Sequence, residues 1–74
     1  MNTGLAESFY LDIKAVTKIT SFSRSTILVL EKNGQFPKRV KINVNNVRWK
    51  HKDIISWCQL VELKGGYPPK NYYN

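Results

Sequence analysis

The sequence predicts a mainly α fold with a small β hairpin: three short helices and a two-stranded wing in one 74-residue domain. Three observations carry this. Three segments show apolar residues at helical spacing behind a capping residue or an acidic first turn. Residues 38–49 alternate apolar and polar around an Asn-Asn pair, the signature of a hairpin. No stretch approaches the roughly 18–20 apolar residues of a membrane span.

Residues 1–8 read as a polar, flexible lead. Phe9-Tyr10-Leu11 is apolar and can pair as a short strand or pack as a staple. Asp12 is a strong N-cap for a first helix over 13–20, in which Ile13, Val16 and Thr20 share one side with Ile19 at its border. Its β-branched residues lower its intrinsic propensity, so it depends on packing. Ser21-Phe22 breaks the pattern and leaves Phe22 to plug the core.

Ser23 is the cap for a second helix over 24–32, with its oxygen available to the N–H of Ser25 or Thr26. Asn33-Gly34 ends it, since both residues tolerate the left-handed conformation. At about 100° per residue, Ile27 and Leu30 share the buried face, and Ser25, Leu28, Val29 and Lys32 group opposite. A strand over 26–30 is the competing reading, because Ile and Val favour sheets. The capping residues at both ends favour the helix.

In Lys38-Arg39-Val40-Lys41-Ile42-Asn43-Val44, the apolar Val40, Ile42 and Val44 are expected to rest on the helices, with Arg39, Lys41 and Asn43 outward. Asn45-Asn46 supplies the turn and Val47-Arg48-Trp49 returns. A third helix starts near Lys50 or His51, with Asp53 in its first turn and a stripe of Ile54, Trp57, Cys58 and Val61. Gly65-Gly66 ends it, and residues 65–74 are expected to be a flexible tail with little to bury. The order helix, turn, helix, ribbon, helix, spanning residues 9–64, is a winged helix-turn-helix plan.

Charge is the most informative bulk property. The net charge is +7, and residues 14–52 hold ten Lys/Arg against the single acid Glu31. A field this concentrated suits phosphates or anionic lipid heads. One cysteine excludes an intrachain disulfide, and with one histidine it argues against a four-ligand zinc site. No cofactor is expected. Catalysis is not expected either: no carboxylate pair lies at useful spacing, Cys58 sits on a core stripe, and Gly65-Gly66 follows a helix instead of opening one. The N-terminal residues have no export signal, so a cytoplasmic protein is expected.

Four pieces, Ser23-Arg24-Ser25-Thr26-Ile27, Gly34-x-Phe36-Pro37-Lys38, Arg48-Trp49 and Trp57, occur in the order and at close to the spacing of the AlpA-like proteins. The chain resembles this family of small prophage and genomic-island regulators, close to the excisionases and the MerR-type winged helices, over residues 9–58. The resemblance implies a bacterial, nucleoid-associated DNA-binding protein that regulates transcription or helps an integrase excise its element. It puts the second helix in the major groove and the wing over the backbone or minor groove, with contact roles on Ser23, Arg24, Ser25, Thr26, Lys38, Lys41 and Arg48. The turn between the first two helices carries Ser21 where the family commonly has glycine.

The candidate DNA-contacting residues follow by chemistry. Arg24 can bind a phosphate at the helix start or reach guanine O6 and N7. Ser23, Ser25 and Thr26 can donate to phosphates, although Ser23 is equally a pure cap. Leu28 and Val29 can meet thymine methyls, or else pack under the wing or tail. Lys32 lies outward beside them, Lys38, Arg39, Lys41, Arg48 and Lys50 flank or line the ribbon, and Asn45 sits at its turn. The expected partner is an operator or attachment-site duplex, with an integrase and further copies on DNA as additional partners, since one such domain covers only about 600–1,000 Å². The rival reading is a protein-interaction module for an integrase, repressor or response regulator, using Tyr67, Tyr72 and Tyr73 with Pro68-Pro69.

Overall fold

The Asp12 carboxylate accepts a hydrogen bond from the Ala15 N–H at 2.9 Å, so α1 (Ile13–Thr20) starts where a side chain replaces its missing backbone partner. In the computed structural model, which describes residues 9–74, it is preceded by β1 (Tyr10–Leu11) and followed by α2 (Arg24–Lys32), β2 (Val40–Asn43), β3 (Asn46–Lys50) and α3 (His51–Lys64). The polar lead expected over 1–8 lies outside the described residues. The fold is the mainly α, winged helix-turn-helix-like architecture that the sequence predicts.

The turn between α1 and α2 is three residues long. Ser21 is left-handed, with φ 64°, and its N–H donates to the Thr17 carbonyl at 2.8 Å. Ser23 Oγ accepts from the Thr26 N–H at 3.2 Å and donates to Thr26 Oγ1 at 3.0 Å. Of the apolar run in α2, Ile27 and Leu30 are buried while Leu28 and Val29 face out.

The core is formed by Leu11, Val16, Ile27, Leu30, Phe36, Trp49, Ile54 and Trp57, with Ile13, Phe22, Cys58 and Val61 packed against it. Every element except β2 contributes a residue, and the two tryptophans stand in for the disulfide or metal that small folds often need. Trp57 also donates its indole N–H to the Gln35 carbonyl at 2.7 Å, whereas the buried Trp49 N–H has no partner among the described residues.

The hairpin departs from expectation in three ways. The turn is Val44-Asn45, one residue earlier than predicted, and Asn43 Oδ1 holds it by accepting from Asn45 N–H and Asn46 Nδ2, both at 3.0 Å. The ribbon gains a third strand, because β1 pairs antiparallel with β3 and sets Leu11 opposite Trp49; the sheet order is β1-β3-β2.

The third departure is that the faces of β2 are reversed. Lys41 opposes Val47, and Val40 opposes Arg48. Cross-strand partners share a face, so Lys41 lies on the Val47–Trp49 side and Val40 on the other. Val40 is half-buried, Ile42 is 48% exposed and Val44 is 84% exposed, so these three do not rest on the helices. Arg39 fits this arrangement: its guanidinium lies 5.2 Å from the Trp49 ring centroid and binds Glu31 of α2, which favours Lys41, two residues on, on the same side. The register then shifts between Lys41 and Asn43, and Val44 lies in the turn.

The expected loose tail is also corrected. Gly65, with φ 75°, caps α3, and residues 67–74 fold back over the end of α2. Asn71 N–H donates to the Asn33 carbonyl and Tyr73 N–H to the Gly34 carbonyl, both at 2.9 Å, and Gln35 Nε2 donates to the Pro68 carbonyl at 2.9 Å. Pro68 is fully buried, and Tyr67 stacks on Trp57 with centroids 6.1 Å apart and an interplanar angle of 21°. Gly34 permits this approach: a Cβ there would lie 2.7 Å from Asn71 Cα, and its φ is 71°. The segment therefore has apolar surface to cover and orphan carbonyls to satisfy at the end of α2. Burial, with smaller effects from Tyr72 and Asp53, pushes the Tyr73 hydroxyl pKa up.

Candidate nucleic-acid interface

The helical period of α2 puts Ser25, Leu28, Val29 and Lys32 on a single ridge turned away from Ile27 and Leu30. Leu28 is 37% and Val29 56% exposed, so no other described part of the chain seals the ridge. Ser25 and Lys32 are exposed beside them. The ridge thus offers an apolar strip edged by a hydroxyl and a cation.

Its two flanks differ. On the Glu31 side the start of β2 is clamped: Glu31 accepts from the Arg39 backbone N–H at 2.9 Å, from Nε at 3.1 Å and from Nη2 at 2.6 Å. On the Thr26 side a shallow groove of about 300 Å³ runs between α2 and the C-terminal segment, lined by Ser25, Thr26, Val29, Leu30 and Tyr67.

The remaining predicted residues are distributed as follows. Ser23 is the helix cap, and its bond to Thr26 engages both hydroxyls. Arg24 is exposed and shares a small groove with Ile13, Lys14 and Thr17 of α1. Lys38 is exposed above a groove it lines with Pro37, Asp53, Ser56 and Tyr73. Arg39 is not brought to the set: Glu31 holds its guanidinium, and that hydrogen bond raises its pKa. Lys41 is exposed on the sheet face shared with Val47, while Arg48 and Lys50 lie on the opposite face, paired with Val40 and Tyr10. The Arg48 guanidinium donates to the Val47 carbonyl at 2.8 Å. Asn45 is exposed at the hairpin tip.

Sequence reasoning overlooked Lys14 and Thr17, which α1 carries beside Arg24. The signal was present: Lys14 opens the basic segment and lies one turn before Lys18. Nothing local places Tyr67 beside α2, because its position depends on Trp57 and Gly34.

Burial raises the Cys58 thiol pKa, which disfavours a reactive thiolate. No group of three His, Cys, Asp or Glu among the described residues could hold a metal ion. No helix among them is long and apolar enough to cross a membrane.

A family described as "Prophage CP4-57 regulatory protein (AlpA)" matches residues 10–62. The chain is also similar to "Uncharacterized protein ORF88" of Enterobacteria phage P4, at 31% identity over 65 residues covering 85% of this chain and 74% of that protein. No solved structure matches it significantly.

Proposed function

The chain belongs to the AlpA family of prophage regulatory proteins, and from that premise we propose that it binds double-stranded DNA sequence-specifically. In this reading α2 enters the major groove and the β2–β3 wing lies along the backbone or minor groove. The observation that supports it is the open ridge of α2, apolar at Leu28 and Val29, inside a segment whose ten cations face one acid. That acid, Glu31, is already neutralised by Arg39, so the remaining field is almost wholly positive. Arg24 serves a phosphate or a guanine at the start of the helix, and Leu28 and Val29 meet thymine methyls.

A duplex selected by the protein from a randomised library tests the reading. Arg24→Ala is expected to weaken binding to that duplex by about 10-fold or more, the range of a contact worth about 1–3 kcal/mol. Six cations, Arg24, Lys32, Lys38, Lys41, Arg48 and Lys50, give a slope of log K against log salt near −5, and each one that faces away makes it shallower by about 0.9. A protein that selects no duplex, or binds all sequences alike, refutes the proposal. The regulatory outcome is transcriptional control or element excision, with copies assembled side by side on repeated sites and an integrase as partner. Footprinting on the DNA flanking its own gene distinguishes an operator from an attachment site.

A further inference from the structure

We propose that the C-terminal segment is part of the DNA-binding surface, with Tyr67 meeting the sugar-phosphate strand that borders the major groove. This inference rests on the DNA-binding reading above. It goes beyond the family, whose match ends at residue 62.

The ridge of α2 is framed on both sides. The wing, fastened through Glu31 and Arg39, forms one flank, and Tyr67 forms the other, across a groove from Ser25, Thr26 and Val29. A duplex seated on the ridge is wider than a helix, and so it reaches both flanks.

Tyr67 is also held in place. Its ring stacks on Trp57 and meets the edge of Phe22 at 6.0 Å, and the next residue, Pro68, is fully buried. Even so, it remains 45% exposed, and its hydroxyl has no hydrogen-bond partner among the described residues. An anchored ring with an open hydroxyl costs little conformational entropy when it binds. Its neighbours across the groove fit a sugar-phosphate strand: Val29 gives an exposed apolar contact for the deoxyribose, and Ser25 and Tyr67 each bring a hydroxyl that can donate to a phosphate. The surrounding field is positive, which favours a polyanionic strand over a neutral or cationic ligand.

The test uses the full chain and the duplex it selects from a randomised library. Tyr67→Phe keeps the ring stack and removes only the hydroxyl; binding is expected to weaken by about 3- to 10-fold at an unchanged melting temperature, the range of one hydrogen bond. Tyr67→Lys adds a cation at the strand, and the salt slope is expected to steepen by about 0.9. Affinity and slope both at the wild-type values in the two variants overturn the proposal and leave the groove to a protein partner. Weakening that only tracks a fall in melting temperature overturns it too. A wild-type chain that selects no duplex removes the DNA reading itself; one that needs Arg24 but is indifferent to position 67 removes this inference alone.

Discussion

Arg39 shows how a residue suited by charge to one task can be committed to another. In sequence it is one more cation of the wing. In the fold its side chain and backbone N–H both bind the Glu31 carboxylate, and its guanidinium covers Trp49. Only 13% of the Glu31 side chain is exposed, so the pair is better shielded than an ordinary surface ion pair. Glu31→Ala is therefore expected to lower stability by about 1–2 kcal/mol, from the lost bonds and the freed wing. Urea unfolding of Glu31→Ala, Arg39→Ala and the double variant measures the coupling. Additive losses would show that the two residues act separately.

At the scale of elements, what could be read in advance follows the range of the forces involved. Asp12, Ser23 and Gly65 bracket their helices by local bonds, and α1, α2 and the end of α3 fall where those residues put them. The ridge of α2 was legible for the same reason, since a helical period needs no distant information. The hairpin was not. Alternation alone cannot say which face of a strand is inward, and here the Trp49 side goes to Arg39 and Lys41 instead of the valines. The C-terminal segment was not legible either, because its docking relies on Gly34 and on the Trp57 ring, both far away in sequence. Removing residues 67–74 is expected to cost about 2–3 kcal/mol, from three hydrogen bonds, Pro68 and the uncovered Trp57. Denaturant unfolding of the shortened chain checks this; an unchanged midpoint would mean that the segment adds nothing to the fold.

For the whole molecule, size and charge act together. The radius of gyration is 12.5 Å, well below the screening length of about 30 Å at 0.01 M salt, so most of the cations are within reach of one another. With a net charge of +7, folding gathers like charges that the unfolded chain holds apart. Raising the salt from about 0.01 M to about 1 M, where the screening length is about 3 Å, is expected to stabilise the fold by on the order of 1 kcal/mol. Binding to DNA moves the opposite way over the same range. A thermal melt and a binding titration along one salt series show both trends; a melting temperature that falls with salt would mean that attractive pairs outweigh the repulsion.

Position 34 is bare for two unrelated reasons: the backbone there turns left-handed, and Asn71 would crowd any side chain. Evolution cannot repair a larger residue at this site with one compensating change. Deleting the crowding neighbour would open space yet leave the torsion penalty, and no distant substitution can supply the missing conformational freedom. Position 34 should thus resist drift even where the residues around it diverge.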